Sequence, residues 1–138
     1  SGLFLSCDNA HAVHPNDLGK TDRLNKVYMN KGIVIKYNAN QSYTTDALSA
    51  SLVKDIFKNA NVAYQEFTNR SDVRGGGTLG SISESLVSIA SVDIGLAQLA
   101  MHSACETAGT KDLQTLIDGV KAFYNTVIKK EGYNYILK

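Results

Sequence analysis

Short β-rich runs alternate with helical hydrophobic stripes along this chain, and that alternation constrains its fold more than any other feature. Runs of strand length and composition lie at residues 3–6, 32–37, 63–67 and 91–95. Between and after them, apolar residues recur every three or four positions. Strands that alternate with helices form one sheet with helices packed on its faces. The sequence therefore predicts an α/β fold, with a mostly parallel or mixed sheet flanked by helices.

The first two predicted helices both begin at recognisable N-terminal signals. The first follows Thr44 or Thr45 as its N-cap, with Asp46 favouring the positive end of the helix. The second opens with a capping box at residues 81–84, directly after a glycine-rich stretch. The face that the first helix buries is predicted to consist of Leu48, Leu52, Val53, Ile56 and Phe57.

A third helix is predicted near the C-terminal end of the sequence. Thr110 is its expected N-cap, and an amphipathic pattern continues as far as Ile128. Gly132 is the expected stop signal, because helices commonly end at a glycine. Residues 133–138 are then left as a tail that either docks on the domain or frays.

Composition excludes several classes of protein. The 138 residues suit a single domain spanning 1–138, with 43% hydrophobic and 20% charged residues. A net charge of +1 with scattered basic residues argues against a nucleic-acid partner. No apolar run reaches membrane-spanning length, so no membrane association is expected. Cys7 and Cys105 are too few for a disulfide framework, which favours a cytoplasmic location.

Carboxylate and imidazole groups cluster directly after the first predicted strand. Asp8, His11 and His14 fall within seven residues, and His102 follows another apolar segment, with Glu106 four positions later. Such oxygen and nitrogen donors suit zinc, cobalt or manganese. The alternative is that Asp8 caps a turn and the histidines are structural. If the segment after His102 is helical, Glu106 would orient its imidazole.

Two further features suggest a binding site. Lys36 interrupts an apolar strand, and a buried lysine needs an anionic partner, either a structural carboxylate or an acidic substrate. Tyr43 follows nearby, and both side chains could instead reach the surface.

Glycines 75–77 allow a small phosphate-binding domain as a rival interpretation, although the GK[ST] ending of a phosphate loop is absent.

Long ordered motifs run from about residue 6 to residue 123. They read Ser-x-Asp-x-Ala-His-Ala-Val-His-Pro-Asn (6–16), Ile-Val-Ile-Lys-x-Asn (33–38), Gln-x-Tyr-x-Thr-Asp (41–46), Arg-x-Asp (70–72), Gly-x-Thr-Leu-Gly (76–80) and Val-Asp-x-Gly-x-x-Gln-Leu-Ala-Met-His-Ser-x-x-Glu (92–106). In these motifs the chain resembles zinc aminopeptidases of the aspartyl aminopeptidase and aminopeptidase I type. The resemblance implies a partial co-catalytic zinc peptidase domain, of the phosphorylase/hydrolase-like fold.

The resemblance also implies roles for individual residues. Asp8 and His102 match ligands to two different zinc ions, and His11 matches a catalytic, substrate-contacting imidazole that stabilises the oxyanion. The positions that match substrate contacts are Lys36, Tyr43 and Met101. The implied substrate is a peptide, and Lys36 suits an acidic N-terminal residue, Asp or Glu.

The remaining metal ligands and the general base of this family match no residue of the chain. The family's first His ligand, bridging Asp and Glu-Glu pair lie upstream of the matched region. The chain is therefore expected to be the C-terminal portion of a catalytic domain, inactive without its upstream portion and part of a homo-oligomer. The alternative is a truncated, non-catalytic relative that acts in subunit assembly.

Overall fold

The computed structural model describes residues 2–16, 19, 25–37, 45–68 and 89–138. Two helices lie within these ranges, α1 (Ala47–Asn59) and α2 (Thr110–Asn125). The strands are β1 (Leu3–Cys7), β2 (Ala10–His11), β3 (Ile33–Tyr37), β4 (Tyr64–Thr68), β5 (Ala90–Gly95), β6 (Ala97–Leu99), β7 (Thr107–Ala108), β8 (Ile128–Glu131) and β9 (Asn134–Leu137).

Four strands form the main sheet, in the order β1-β5-β3-β4. Strand β1 runs parallel to β5, and β3 runs parallel to β4, whereas β5 and β3 are antiparallel. The sheet is therefore mixed, and the predicted α/β class is confirmed. These are the four strands expected from sequence, and each observed end lies within one residue of its prediction. Two predictions, the helix after residues 81–84 and the glycine-rich stretch, lie outside the described residues.

Helix α1 supplies one side of the main core. Its buried face meets apolar side chains of β3 and β5, and the cluster comprises Ile33, Ile35, Val53, Ile56, Phe57, Val62, Val92 and Ile94. Leu48 was predicted in this face but is 44% exposed. Ser49 is buried in the same turn, because its side chain turns inward to close the N-terminal cap.

The N-cap of α1 is Asp46, whereas the sequence predicted Thr44 or Thr45. The Asp46 carboxylate accepts a hydrogen bond from the Ser49 backbone N–H at 2.6 Å, and the Ser49 hydroxyl accepts one from the Asp46 N–H at 3.0 Å. Thr45 does not cap the helix; its hydroxyl accepts a hydrogen bond from the Asp93 N–H of strand β5 at 2.8 Å. The other alternative, Thr44, lies outside the described residues.

The prediction that Thr110 caps α2 is wrong, because the N-cap is Gly109 and makes no side-chain cap bond. Capping comes from a distant loop. The Asn30 side-chain oxygen accepts a hydrogen bond from the Lys111 N–H at 3.0 Å. In return, the buried Asp112 carboxylate accepts bonds from the N–H groups of Asn30 and Gly32, at 2.6 and 3.0 Å. The start of α2 is thus set by a tertiary contact.

The end of α2 also differs from the prediction. The helix stops at Asn125, and strands β8 and β9 form a hairpin in place of the expected tail. Residues 126–128 are β-branched (Thr, Val, Ile), which favours extended backbone over helix. Val127 and Lys138 exchange backbone hydrogen bonds at 2.7 and 3.0 Å, which closes the hairpin. Gly132 sits at its tip with φ +61°, so it ends no helix.

No helix among the residues that the structure describes is both long and apolar enough to cross a membrane.

Candidate metal and substrate site

The segment of residues 8–12 continues β1 beyond the main sheet and holds the first predicted site residues. Its backbone runs alongside residues 94–98, with Asp8 N–H donating to the Ile94 carbonyl at 2.9 Å and Ala12 N–H donating to the Gln98 carbonyl at 2.9 Å. Strand β2 therefore pairs in parallel with β6, and β6 pairs antiparallel with β7. Main-chain bonds fix the course of the segment that contains Asp8 and His11.

Gly95 allows these two segments to approach so closely. A Cβ atom at this position would lie 1.7 Å from the Asp8 carbonyl oxygen and 3.0 Å from the Asn9 Cα. Real Cβ atoms do not come that near to backbone atoms, so any side chain here would displace residues 8 and 9. The missing side chain is thus a condition for the observed position of Asp8.

Lys36 lies beneath this segment, and its side chain is only 2% exposed. Its Nζ donates a hydrogen bond to the Asn9 carbonyl at 3.2 Å. Burial lowers the pKa of Lys36, while the carboxylates of Asp8 and Asp93 raise it. Asp93 is itself fully buried and pairs with Lys36 across β5 and β3. The ammonium group is therefore surrounded by acceptor atoms of the protein.

His11 and His102 belong to the same electrostatic neighbourhood. Partial burial lowers the pKa of His11, and the charges of His102 and Lys36 lower it further. A pKa below the ordinary value near 6.5 leaves the His11 imidazole neutral at pH 7. A neutral imidazole has one N–H donor and one acceptor nitrogen.

His102 lies on a tight turn between β6 and β7 that we call the His102 turn (residues 100–106). Ala100 and His102 both have left-handed backbone, with φ of 53° and 69°. The Ser103 N–H closes the turn on the Ala100 carbonyl at 3.0 Å. The segment is not helical, so the Glu106 carboxylate accepts a hydrogen bond from the His102 backbone N–H at 2.6 Å, instead of orienting its imidazole as a helical neighbour.

The fold therefore brings most of the predicted site residues to one end of the mixed sheet. Asp8 interacts electrostatically with Lys36. The charges of Lys36 and His102 both lower the pKa of His11, in addition to the effect of its partial burial. Met101 is half-buried in the turn beside His102. Tyr43 lies outside the described residues. His14 shapes its own loop, because its Nδ1 accepts a hydrogen bond from the Asn16 N–H at 3.2 Å. The catalytic, metal and substrate roles of these residues stay predictions.

Comparison with known protein families identifies the relatives of this chain. The sequence model of the aminopeptidase I zinc metalloprotease family (M18) matches residues 1–124, which is most of the chain. The chain belongs to the M18 family. Over 123 residues it is 50% identical to the probable M18 family aminopeptidase 2 of Clostridium novyi, which covers 89% of this chain and 28% of that protein. It is 42% identical over 125 residues to the corresponding protein of Clostridium acetobutylicum, over 91% of this chain and 29% of that protein.

Solved structures of M18 enzymes share the fold. A chain of the Ape4 and Nbr1 complex matches with a TM-score of 0.86 and 36% identity, over 88% of this chain and 23% of that one. Aminopeptidase I from Clostridium acetobutylicum matches with a TM-score of 0.77 and 26% identity, over 88% and 28%. The mApe1 dodecamer of S. cerevisiae gives a TM-score of 0.79 and 26% identity, over 88% and 26%. This M18 chain thus spans between a quarter and a third of the curated relatives it matches.

The described part of this M18 chain does not form a complete zinc site. Asp8 and His102 supply a carboxylate and an imidazole, both donor types that zinc accepts. Among residues 2–16, 19, 25–37, 45–68 and 89–138, however, no group of three or more His, Cys, Asp or Glu side chains could hold an ion. The donor chemistry suits zinc, but the number of donors falls short of a zinc coordination shell.

Sequence reasoning predicted the ionisable groups of this candidate site and missed the residues that contact them. Gly95, Asn9 and Gln98 had no predicted role of their own. The Asn9 amide donates to the Gln98 side-chain oxygen at 2.7 Å, and Gln98 in turn interacts with the Glu106 carboxylate. The available signal was a polar Gln98 between apolar neighbours in a long motif, which indicates a buried and therefore partnered amide.

Proposed function

We propose that this chain supplies part of the catalytic site of an M18 aminopeptidase, an enzyme that removes N-terminal residues from peptides. The supporting observation is the meeting of Asp8, His11 and Lys36 with the turn that carries His102, at one end of the sheet. Family membership over residues 1–124 favours a peptidase over the phosphate-binding alternative. A cytoplasmic location is part of this proposal, consistent with free thiols at Cys7 and Cys105.

Zinc is the proposed cofactor, since the family is described as zinc metalloproteases. In this proposal Asp8 and His102 bind different ions of a dinuclear site, and the other donors come from outside the described residues. Cobalt and manganese accept the same donor types. Because two donors give far lower affinity than four, this chain alone should bind zinc poorly and have little or no activity.

Aminopeptidase assays with aminoacyl-anilides test this proposal directly. The 138-residue chain is compared with the chain extended by the upstream segment of an M18 relative, each with added zinc. We expect turnover only from the extended protein, and loss of that turnover in its Asp8→Asn and His102→Gln variants. Robust activity of the chain alone, or full activity of both variants, would contradict the proposal.

His11 is proposed to donate its imidazole N–H to the carbonyl oxygen of the scissile bond as negative charge develops there. Its lowered pKa keeps the ring neutral at pH 7 and leaves one nitrogen protonated for this purpose. In the extended enzyme, we expect His11→Ala to lower kcat by about a hundredfold, with a smaller change in KM. An unchanged kcat would remove His11 from the reaction.

Lys36 is the proposed basis for a preference for acidic N-terminal residues. Its ammonium group interacts electrostatically with the predicted ligand Asp8. The hydrogen bond from Lys36 to the Asn9 carbonyl allows a second interpretation, in which Lys36 only supports the 8–12 segment. The ratio of kcat/KM for aspartyl and leucyl substrates separates these interpretations, since a ratio is independent of the folded fraction. Lys36→Met should reduce the ratio at least about tenfold, whereas an equal loss on both substrates would indicate support alone.

Subunit assembly is the second candidate function. Helix α2 exposes Leu113, Ile117 and Tyr124 at helical spacing, with Tyr124 79% exposed. Exposed apolar faces of this kind mark interaction surfaces, and one structural relative is a dodecamer. We expect self-association in light scattering that Leu113→Asp/Tyr124→Asp abolishes. A monomer at every concentration would exclude homo-oligomerisation through this face, and activity of the extended enzyme decides between catalysis and assembly alone.

A further inference from the structure

Two segments carry the proposed ligands, one ligand each, and the two segments are held in different ways. The 8–12 segment is bonded through its backbone to residues 94–98. The His102 turn has two left-handed residues without glycine's freedom, a conformation that costs about 1 kcal/mol or more per residue. Such a turn keeps its geometry only if surrounding contacts hold it.

Gln98 is placed to provide those contacts. Its side chain is 5% exposed, so both ends of its amide need hydrogen-bond partners within the protein. The Oε1 atom accepts a bond from the Asn9 amide at 2.7 Å, on the 8–12 segment. The Nε2 end interacts with the Glu106 carboxylate, on the His102 turn, whose pKa is lowered first by the bond from the His102 N–H and then by this amide. Each end of this one amide therefore interacts with one of the two segments.

Glu106 extends the connection to His102 itself. Its carboxylate accepts the His102 backbone N–H at 2.6 Å, a short charge-assisted hydrogen bond. On the other side, the Asn9 carbonyl accepts the Lys36 ammonium at 3.2 Å. A chain of polar contacts therefore runs from Lys36 through Asn9, Gln98 and Glu106 to His102.

We propose that Gln98 is a positioning residue, which sets the distance between Asp8 and His102 by bonding Asn9 and Glu106 at the same time. This inference rests on the proposed function only in naming Asp8 and His102 as ligands. Glutamine suits the position because it offers a donor and an acceptor at the end of one side chain. Methionine has the same length but lacks both groups, and glutamate lacks the donor.

A charge swap tests the direction of these bonds. Gln98→Glu alone places two carboxylates against each other and should separate the segments. In the double variant Gln98→Glu/Glu106→Gln, the new amide at position 106 would donate to the new carboxylate at position 98, while the bonds from Asn9 and from the His102 N–H both persist. The double variant should therefore restore the arrangement of the two segments that Gln98→Glu alone disrupts. A residue that merely filled space would not be rescued by its partner's substitution.

The first measurement is metal-free NMR of the full chain. The His102 amide proton should resonate well downfield in the wild type, because it is bonded to a carboxylate. In Gln98→Met and Gln98→Glu we expect changed residual dipolar couplings at residues 100–106 relative to residues 8–12, and recovery in the swap. If both single variants keep the wild-type couplings, or the swap resembles Gln98→Glu, the proposal is wrong.

Gln65→Met is the matched control. The Gln65 amide also bridges two segments, donating to the Tyr28 carbonyl at 2.7 Å and accepting from the Tyr28 N–H at 3.0 Å, but away from the site. We expect this variant to keep the wild-type couplings of the His102 turn. A Gln65→Met variant that disturbs the His102 turn as much as Gln98→Met would show general loosening and overturn a specific role for Gln98.

Zinc titration of the extended protein used in the aminopeptidase assay, followed by the amide signals of residues 8 and 102, gives a readout that packing alone would not change. Substitutions that release the groups orienting a ligand weaken metal binding by about 10–100-fold. We expect at least about tenfold weaker binding in Gln98→Met and recovery in the swap. Equal affinity in wild type and Gln98→Met would overturn the positioning role. If zinc binds neither, the ligand assignment of the proposed function fails, and the metal-free couplings still decide the role of Gln98.

Discussion

The 8–12 segment and the His102 turn contribute one proposed ligand each, yet the chain stabilises them by different means. The first is a strand extension whose backbone bonds repeat along residues 94–98. The second depends on side chains, namely Glu106 and Gln98, around two left-handed residues. Backbone pairing tolerates most side-chain changes but no obstruction between the strands. A turn held by side chains should tolerate glycine at its left-handed positions. It should lose its geometry when one of its hydrogen-bonding side chains is removed.

The largest effect is expected at the backbone-held segment, from Gly95→Ala. The new methyl group would collide with the Asp8 carbonyl oxygen, so residues 8 and 9 must move and their ladder bonds must break. We expect the free energy of unfolding to fall by about 4 kcal/mol, combining overpacking with lost hydrogen bonds. Urea denaturation measures this loss. Gly132→Ala is the control, since its site is open, and should cost about 1 kcal/mol for its φ of +61°. Equal losses in both variants would contradict the proposed close approach.

A second test removes the charge beneath the same segment. Lys36→Met leaves the Asp93 carboxylate buried without the ammonium group that interacts with it. We expect a loss of about 3 kcal/mol, typical of breaking a buried charge pair from one side. Lys36→Met/Asp93→Asn should recover most of that loss, because neither charge is then buried alone. If the double variant is no more stable than the single one in urea denaturation, the two charges do not stabilise each other.

The His102 turn should show the opposite response to glycine. His102→Gly relieves the left-handed strain at φ 69°, so we expect stability within about 1 kcal/mol of wild type, while zinc binding and activity of the extended enzyme are lost. Ala100→Gly is the matched variant, with φ 53° and the imidazole retained. It should change stability equally and keep activity. A strongly destabilised His102→Gly would mean that the imidazole, and not the turn backbone, stabilises this region.

The smallest expected effect is a pH dependence that belongs to His11. Its pKa is lowered in the folded protein, so the unfolded chain takes up a proton first as the pH falls through about 6.5. The unfolded state then binds more protons than the folded state, and stability decreases towards acid. In metal-free protein, the free energy of unfolding should fall between pH 7 and pH 5, and His11→Gln should flatten part of that slope. Identical slopes would show that His11 is not responsible.

Sequence patterns predicted the main sheet well and the ends of the helices poorly. The four strands were found to within one residue because β-branched runs bounded by polar turns are local signals. Thr110 was the wrong cap because Asn30, far away in sequence, supplies the acceptor for α2. The helix was extended to Ile128 because the apolar spacing continues, although the chain there pairs as a hairpin.

The candidate site divides in the same way between sequence and structure. Sequence alone predicted Asp8, His11, Lys36 and His102 as site residues, because carboxylates, imidazoles and a lysine within an apolar strand have distinctive chemistry wherever they occur. It also determined the family, through motifs whose order and spacing extend along the chain. Only the tertiary structure decided which residues hold those groups in place. Gly95 matters because it leaves space for the backbone of residues 8 and 9, and Gln98 matters because its side chain contacts a second segment. Neither property exists until residues 8–12 lie beside residues 94–98.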